Sequence, residues 1–495
     1  MTLSRKPHII CLTALAVSAL LPSCAVGPNF KKPAAPTVKG YAPSPVSTTS
    51  SATNVAGGEA QRFVTGQDIA GDWWTLFHSK PLNALIERSL KANPSLKAAQ
   101  AALVMARENV KAQYGSYYPS VTGSFSAAHQ KTAGVIAPVP SNNELYFDLF
   151  TPQVSVSYVP DVFGLNRRTV ESLKAQAEQA RFALVASDIA LSANVVAAAI
   201  QEASLREQIA ATHQLIAINT NMLQILRAQF AKGYASRLDV AAQESQLAQI
   251  LATLPPLVKQ LDQDRNLLAA LSGGFPSEGP AEKFELFSTL QLPRELPLSL
   301  PSRLVEQRPD VRQAEENWHA ASAQVGIAVA NRLPNFMLSA DAGSMALAFS
   351  QMFSSGTGFW SLAGSVTQPI FEGGALLHRQ RAAQAACIQA EEQYRGAVQT
   401  AFQNVADTLA ALEQDADGLN AAAAARDAAR ITLDLSRQQW QSGYASYLAL
   451  LSAEQAYNQA VVNLVQAQAN RYADTAALFE ALGGGWWNRA DLAKK

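Results

Sequence analysis

The residues whose types and spacing could do chemistry are few, and they do not form a catalytic set. The sequence has no Gly-x-x-x-x-Gly-Lys-Ser/Thr loop, no His-Glu-x-x-His and no Cys-x-x-Cys, and its six His residues are scattered. Glu315 and Glu316 are consecutive on a predicted helix, so they point to different faces and make a poor acid/base pair. The sequence therefore predicts a protein that is not an enzyme, with no catalytic residue, metal ligand or cofactor.

Cys24 has the clearest chemical role, because it follows a short export signal. Arg5 and Lys6 precede an apolar run from Ile9 to Leu21 that is too short to span a bilayer. Leu21-Pro22-Ser23-Cys24 fits the pattern at which a bacterial lipoprotein precursor is cleaved and its cysteine is acylated. The alternative is an ordinary signal peptide with an incidental cysteine. We expect Cys24 to be lipidated and to sit in membrane lipid.

Composition narrows the remaining possibilities. Residues 1–23 are predicted to be the signal peptide, and residues 24–70, rich in Pro, Ser and Thr, an extended linker. Lys plus Arg equals Asp plus Glu at 39 each, which argues against a nucleic-acid partner, since such partners need clustered basic residues. No apolar run reaches 18 residues, so no transmembrane helix is predicted.

Two long helical arms dominate the rest of the chain. Residues 165–232 contain neither Gly nor Pro and end at Gly233-Tyr234-Ala235-Ser236, a signature that recurs at Gly443-Tyr444-Ala445-Ser446. A helix of that first length would extend roughly 100 Å, far beyond ordinary helices. Each signature is followed by a second helical stretch, so the pattern predicts two very long helical hairpins. Gly233 and Gly443 suit the left-handed position at a helix end.

The chain reads as two copies of one unit. The Gly-Tyr-Ala-Ser signatures and Glu244/Glu454 align at an offset of 210 residues, and flanking motifs align at similar offsets. We predict a first repeat over residues 71–272, an equatorial linker over 273–301, a second repeat over 302–482 and a C-terminal tail over 483–495.

Four segments alternate apolar and small polar residues with the period of a strand. They are predicted at about 117–128, 151–159, 334–343 and 359–369, close to the length needed to cross a membrane. Four strands cannot close a barrel, and open edges are not tolerated in lipid, so a membrane location would require several chains to share one barrel. The alternative is a pair of surface hairpins in a soluble protein.

The long helices carry apolar stripes with alternating steps of four and three residues, which is typical of supercoiled helices. The first stripe is Phe182, Ala186, Ile189, Ala193, Val196, Ile200 and Ala203, and the second is Val398, Phe402, Val405, Leu409, Leu412, Ala416, Leu419 and Ala423. Further Ala residues beyond the stripes suggest contact on more than one side, as in a wall of helices. An intramolecular bundle is the simpler alternative.

Taken together, these motifs resemble the TolC-type outer-membrane efflux channels, specifically the NodT-like lipoprotein branch of resistance-nodulation-division (RND) systems. The resemblance covers essentially the whole mature chain. The motifs that carry it are Cys24-Ala25-Val26-Gly27-Pro28-Asn29-Phe30, Asp72-Trp73-Trp74, Ala92-Asn93-Pro94-Ser95-Leu96, Asp161-Val162-Phe163-Gly164-Leu165-Asn166-Arg167-Arg168, Gln307-Arg308-Pro309-Asp310-Val311 and Gln368-Pro369-Ile370-Phe371-Glu372-Gly373-Gly374.

The resemblance implies a mostly α fold with a membrane β-barrel. A homotrimer would form a 12-stranded barrel, four strands from each chain, that continues into a 12-helix periplasmic tunnel. The implied partners are a periplasmic adaptor and an inner-membrane RND pump, and the implied location is the outer membrane of a Gram-negative bacterium. The function would be a passive exit duct for small toxic compounds. Channels of type I protein secretion share this architecture and are the alternative; a periplasm-spanning lipoprotein without a pore is a third possibility.

The resemblance also assigns roles to residues of the tips. Asp434, nine residues before Gly443, matches a constricting aspartate, so three copies could form a negative ring at the periplasmic gate. The alternative is an ordinary surface pair of Arg430 and Asp434 one helical turn apart. The first tip keeps Asp239-Val240, whereas the second has Ala449-Leu450, so the two tips are not equivalent if Asp239 caps the returning helix or contacts a partner. The residues expected to dock the adaptor are Gly233, Tyr234, Ala235, Ser236, Asp239, Gly443, Tyr444, Ala445 and Ser446.

Overall fold

The structure is a computed structural model that describes residues 25–43, 47–133, 145–278 and 290–493. Its helices are α1 (Lys80–Ala92), α2 (Pro94–Tyr114), α3 (Leu165–Ala231), α4 (Arg237–Leu271), α5 (Pro301–Gln307), α6 (Pro309–Ala330), α7 (Ala375–Gln441), α8 (Tyr447–Ala481) and α9 (Ala490–Ala493). Its strands are β1 (Arg62–Thr65), β2 (Ser120–Lys131), β3 (Tyr146–Tyr158), β4 (Glu295–Leu298), β5 (Asn335–Ser344) and β6 (Gly358–Thr367).

The two long hairpins have identical helix lengths. Helices α3 and α7 each have 67 residues, and helices α4 and α8 each have 35. Every helix of the second hairpin begins 210 residues after its counterpart, which is the spacing between the two Gly-Tyr-Ala-Ser sequences. Helix α4 continues through Pro255 and Pro256, where α8 has Val465 and Gln466.

The apolar stripes of the long helices are the faces that become buried. In α3, Phe182, Ile189 and Val196 are buried. In α7, Val405, Leu412 and Leu419 have no exposed surface. One stretch of α3 is apolar and long enough to cross a membrane by composition, which differs from the sequence prediction. Because 67% of that stretch is buried inside the protein, it fits a core helix.

The chain divides into two compact units, and each takes segments from both halves of the sequence. Among the described residues, the first unit contains those up to Lys32 together with those of Leu103–Gln179 and Ala314–Tyr394. The second contains Pro33–Ala102, Ala180–Gln313 and Arg395–Lys495.

The first unit contains a four-stranded antiparallel sheet in the order β2-β3-β5-β6. The central β3–β5 pairing joins the two halves of the chain, and it runs from Gln153 opposite Gly343 to Tyr158 opposite Leu338. Strands β2 and β6 are the edges. The strand bounds differ by up to five residues from those that the alternation predicted.

The second unit includes most of the segment that the sequence predicted to be an extended linker. Strand β1 pairs in parallel with β4, and Gln61 is buried and donates to the carbonyl of Pro293 at 3.0 Å. The described part of this segment is therefore docked rather than loose. Composition suggested a free tether because the segment has no core of its own, but it uses the core of another part of the chain.

The segment that follows α8 is also more fixed than a tail. Gly483, Gly484 and Gly485 all have positive φ and make a tight turn. Trp486 is then buried against Phe182, with ring centroids 5.8 Å apart. The described residues of the predicted C-terminal tail therefore pack back on the long helix α3 through two aromatic residues that follow the three glycines.

Candidate functional site

The four-stranded sheet has two chemically different faces. Across its strands, Val121, Val156, Ala340 and Leu362 form one register row, in which Val121 is 66% and Leu362 is 75% exposed. The neighbouring row is Thr122, Ser155, Asp341 and Ser361, in which both serine hydroxyls donate to the Asp341 carboxylate, at 2.6 and 3.1 Å. An exposed apolar face opposite a hydroxylated one suits a sheet between lipid and water.

Each long hairpin turns at its Gly-Tyr-Ala-Ser sequence with the same backbone geometry. Gly233 has a φ of 80° and Gly443 a φ of 79°. The amide of Gly233 donates to the Phe230 carbonyl at 2.9 Å, and the amide of Tyr234 donates to the Gln229 carbonyl at 2.9 Å. The second tip repeats both bonds, which together form the Schellman motif that ends a helix at a left-handed glycine.

The tip residues are accessible. Tyr234 is 81% exposed and Tyr444 is 89% exposed. Ala235 and Ala445 are half-buried, while Ser236 and Ser446 are exposed. Tyr is enriched at protein interfaces because its ring is apolar and its hydroxyl is polar, so each tip offers a ring that a partner could cover.

The returning helices begin differently at the two tips. In the first tip, Ser236 Oγ accepts from the Asp239 amide at 3.1 Å, and Asp239 Oδ2 accepts from the Ser236 amide at 2.9 Å. This reciprocal pair is a complete capping box. In the second tip, Ser446 Oγ accepts from the Ala449 amide at 3.3 Å, and an alanine cannot return the bond. The inequivalence that the sequence predicted at Asp239 is therefore present as a difference in helix capping.

A second difference lies in a repeated Arg–Glu pair. In the first hairpin, Arg227 Nη2 contacts Glu244 Oε1 at 2.9 Å, and both side chains are exposed. In the second, Arg437 Nη2 lies 3.9 Å from Glu454 Oε1, and the Glu454 side chain is only 3% exposed. Neither carboxylate oxygen of Glu454 has a hydrogen-bond partner among the described residues.

These environments shift the two carboxyl pKa values in opposite directions. Burial raises the pKa of Glu454, and the positive charge of Arg437 only partly opposes it. The hydrogen bond from Arg227 lowers the pKa of Glu244.

The two hairpins meet behind the tips in a small core. The buried members of this core, here called the tip core, are Met222, Leu223, Leu226, Val240, Leu433, Tyr447, Leu450 and Ala453. Inside it, the Tyr447 hydroxyl donates to Gln243 Oε1. Gln243 Nε2 in turn donates to the carbonyl of Asn219 at 2.9 Å and to its side-chain oxygen at 3.0 Å. A buried hydrogen-bond chain thus ties the second hairpin to the first.

Two of the predicted site residues lie outside this network. Arg430 and Asp434 are one turn apart on α7, and both side chains are exposed. Among the residues that the structure describes, no aspartate of the same chain pairs with Asp434, so a ring there needs further copies. Cys24 lies outside the described residues, and its lipidation stays a prediction.

Comparison with known proteins identifies the protein family. The family model described as outer membrane efflux protein matches residues 85–274 and 300–484, which is well over half of the chain. The chain belongs to the outer membrane efflux protein family. This assignment confirms the predicted resemblance to outer-membrane efflux channels, together with the efflux role and the outer-membrane location.

Individual relatives agree with the assignment over nearly the whole length. The chain is 27% identical over 493 residues to the probable efflux pump outer membrane protein TtgC of Pseudomonas putida, covering 98% of this chain and 97% of that protein. It is 27% identical to outer membrane protein OprJ of Pseudomonas aeruginosa, covering 97% of each. The solved structure of the outer-membrane channel OprN has a TM-score of 0.81 at 26% identity and covers 94% of this chain. The predicted fold, mostly α with four strands and long helical hairpins, is confirmed.

Sequence reasoning missed the residues that tie the hairpins together. Tyr447 occupies the position that Arg237 has in the first copy, and Gln243 occupies the position of Ala453 in the second. A comparison of the copies at offset 210 would have shown both exchanges. It would also have aligned Arg227 with Arg437, beside the Glu244 and Glu454 alignment that the sequence already gave.

Proposed function

We propose that this chain is the outer-membrane exit duct of a tripartite efflux pump and carries small toxic compounds passively out of the cell. The observation that carries the proposal is the sheet with one exposed apolar face, in a chain whose two long hairpins match the efflux family. Relatives support the efflux role, since TtgC and OprJ are named as an efflux pump outer membrane protein and an outer membrane protein.

The duct is proposed to be a homotrimer. Strands β2 and β6 leave unpaired edges, and lipid does not tolerate such edges. Closure of a barrel by copies of this chain adds four strands each, and the resemblance to TolC-type channels favours three copies and 12 strands. The same three copies would place six hairpins around one periplasmic tunnel of 12 helices.

The tips are proposed to be the partner-facing end. The exposed rings of Tyr234 and Tyr444, with Gly233, Gly443 and the neighbouring alanines and serines, would dock a periplasmic adaptor. That adaptor would couple the duct to an inner-membrane RND pump, which supplies the energy.

The gate is proposed to include Asp434 and Arg430. In a trimer, three exposed Asp434 carboxylates near the tips would make a negative constriction that narrows the mouth and attracts cations. Cys24 is proposed to carry the lipid that anchors the chain in the outer membrane.

Two experiments test the proposal. Purified trimer in a planar bilayer should conduct weakly, and Asp434→Ala should raise the conductance; no pore in either variant would refute the duct. Deletion of the gene should sensitise cells to small toxic compounds without blocking protein export. The opposite phenotype would favour a type I secretion channel.

A further inference from the structure

Two sequence motifs that the proposed gate does not use meet in the first unit. Residues 25–30 lie in a groove between the start of α3 and the part of α6 from Trp318 to Gly326. The groove, here called the N-terminal notch, is formed by Phe163, Gly164, Arg168, Trp318, His319 and Gly326. The segment and the Phe163–Arg168 wall both belong to the motifs that carried the family resemblance, so their contact gives these motifs a shared structural role.

Arg168 is the centre of the notch. Its side chain is only 3% exposed. Its Nε donates to the Val26 carbonyl at 2.9 Å, and its Nη2 donates to Asn29 Oδ1 at 2.7 Å and to the Gly27 carbonyl at 3.2 Å. Its Nη1 donates to Glu171 Oε2 at 2.6 Å. A buried guanidinium needs such acceptors, and most of these acceptors come from the N-terminal segment.

The walls of the notch fit the backbone of the segment closely. Gly27 has a φ of 91°, and a Cβ atom there would lie 2.4 Å from the Cα of Gly326. A Cβ atom on Gly164 would lie 2.6 Å from the Cα of Ala25, and one on Gly326 would lie 2.9 Å from the carbonyl oxygen of Val26. Glycines on both sides therefore allow an approach that no side chain would permit.

Phe30 fills the far end of the notch. Its ring stacks on His319 at 4.5 Å and meets Trp318 edge-on at 5.3 Å. The two ring nitrogens of His319 lie 3.3 Å from Glu316 and 3.2 Å from Glu171. Glu171 therefore joins the aromatic end of the notch to Arg168.

We infer that the N-terminal notch is a docking site for residues 25–30 that fixes the lipid anchor at the level where the membrane sheet ends. This inference rests on the proposed lipidation of Cys24. Ala25 lies against Gly164, six residues after the end of β3 at Tyr158. One residue spans at most about 3.6 Å, so the attachment point of the lipid is confined to that level.

The notch shortens the effective tether of the lipid. Were the segment held only from Tyr41, whose hydroxyl donates to the Ser299 carbonyl at 2.9 Å, 17 residues would separate that point from Cys24. An extended chain of that length reaches about 60 Å. Docking therefore raises the effective concentration of the acyl chains at the sheet and favours insertion of the strands.

The first test measures whether the notch holds the segment. A spin label is placed on the exposed Lys31→Cys in the full-length lipoprotein with Cys387→Ser, purified in detergent. The label should be immobile in the parent chain and mobile in Arg168→Gln. Gly326→Val, which fills the notch without changing charge, should mobilise it too. Arg332→Gln is the matched control, because the Arg332 guanidinium donates to Gln380 and Arg332 is not one of the residues that form the notch. An immobile label in both notch variants would overturn the inference.

The second test measures whether the notch acts through the lipid. The yield of inserted, heat-modifiable trimers is compared for Arg168→Gln and Arg332→Gln, in the lipoprotein and in a Cys24→Ala chain exported behind a cleavable signal. Arg168→Gln should lower the yield about tenfold in the lipoprotein, the effect of one charge-assisted hydrogen bond. In the Cys24→Ala chain, which has no lipid, Arg168→Gln should change the trimer yield little. An equal loss in both backgrounds would mean a purely structural arginine and would overturn the inference.

Failure of the proposed function and failure of the notch inference give different results. Absence of labelled palmitate on Cys24 would remove the lipid anchor and this inference with it, while bilayer conductance would still report on the duct. An acylated, conducting chain whose segment stays immobile in Arg168→Gln would refute the notch alone.

Discussion

The first and second hairpin tips share a four-residue turn and equal helix lengths, yet different forces hold them. The first tip is fixed locally, by its capping box and by an exposed ion pair between Arg227 and Glu244. The second tip lacks the box and instead buries Tyr447 and Glu454 behind the turn. The turn sequence therefore determines the bend of each hairpin. The residues after the turn determine whether a hairpin is stabilised by its own contacts or by contacts with the other hairpin.

This difference has a consequence for gating. A hairpin that is stabilised by its own cap keeps its structure when it separates from its partner. The second hairpin loses the hydrogen bond from Tyr447 to Gln243 and exposes part of the tip core on separation. Its contacts to the first hairpin therefore favour the joined state, and the proposed adaptor would have to replace them in order to open the duct.

The largest difference in local stability between the tips is expected when the equivalent residues Tyr447 and Arg237 are truncated. Tyr447→Ala should lower the local opening free energy of the second tip by about 3–4 kcal/mol, since a buried ring leaves a cavity. Arg237→Ala, at the exposed matching position, should change the first tip by less than about 0.5 kcal/mol. Hydrogen exchange of peptides from each tip measures both. Equal losses would remove the distinction between the tips.

Acidification should affect the tips in opposite directions. Because burial raises the pKa of Glu454, the second tip is most stable below the usual carboxyl pKa and loses stability as pH rises through the raised value. Because Arg227 lowers the pKa of Glu244, the first tip has its full pair at neutral pH and loses it as pH falls through the lowered value. Hydrogen exchange from about pH 3 to about pH 8 separates them, because the loss at the first tip falls below the ordinary pKa of Glu and the loss at the second tip falls above it.

Glutamine variants identify the groups responsible for this pH dependence. Glu454→Gln should stabilise the second tip at about pH 8 by about 1–2 kcal/mol, since it removes a buried charge that Arg437 compensates only in part. It should also abolish that tip's response to pH. Glu244→Gln is the control and should leave the second tip unchanged. A pH response that persists in Glu454→Gln would contradict the assignment.

Exchanging the capping residues should make the local stabilities of the two tips more similar. Asp239→Ala removes the returned bond of the capping box and should cost the first tip about 1 kcal/mol. Ala449→Asp places a carboxylate at the matching position of the second tip, beside the Ser446 amide, and should stabilise it by a similar amount or less. Hydrogen exchange of the first turns of α4 and α8 measures both changes. A loss in both variants would mean that local capping does not distinguish the tips.

The smallest contrast is expected at the two turn glycines. Gly233→Ala and Gly443→Ala should each cost about 1 kcal/mol, because both positions have φ near +80° and no neighbouring atom within 4 Å of a new Cβ. The same hydrogen-exchange experiment should find the two costs equal within error. A much larger cost at one tip would show that its glycine has a further role.

The sequence predicted the long hairpins well because their determinants are local. The absence of Gly and Pro over residues 165–232 and the repeated turn sequence predicted helices whose bounds depend on no distant residue. The strands followed from alternation for the same reason. Strand bounds near Tyr146 and Lys131 were less accurate, since pairing across the sheet, rather than pattern, sets where a ladder ends.

The remaining parts depend on contacts between distant residues. The bond from Tyr447 to Gln243 requires the relative rotation of two hairpins, which no periodicity gives. The segment before β1 was predicted to be an extended linker because its composition offers no core of its own, although Gln61 is buried and strand β1 pairs with residues far along the chain. Asp434 illustrates another limit, because its proposed role requires copies of the chain.

A double-mutant cycle on Tyr447→Phe and Gln243→Leu, measured as bilayer conductance of the trimer, tests most directly whether the second hairpin is held by the first. Each single variant should raise the conductance, and the double variant should add little to either, giving a coupling of about 1 kcal/mol in the opening equilibrium. Arg237→Ala should conduct like the parent trimer. Additive effects of the two variants on conductance, or no change in either, would show that the Tyr447–Gln243 hydrogen bond does not hold the second hairpin to the first.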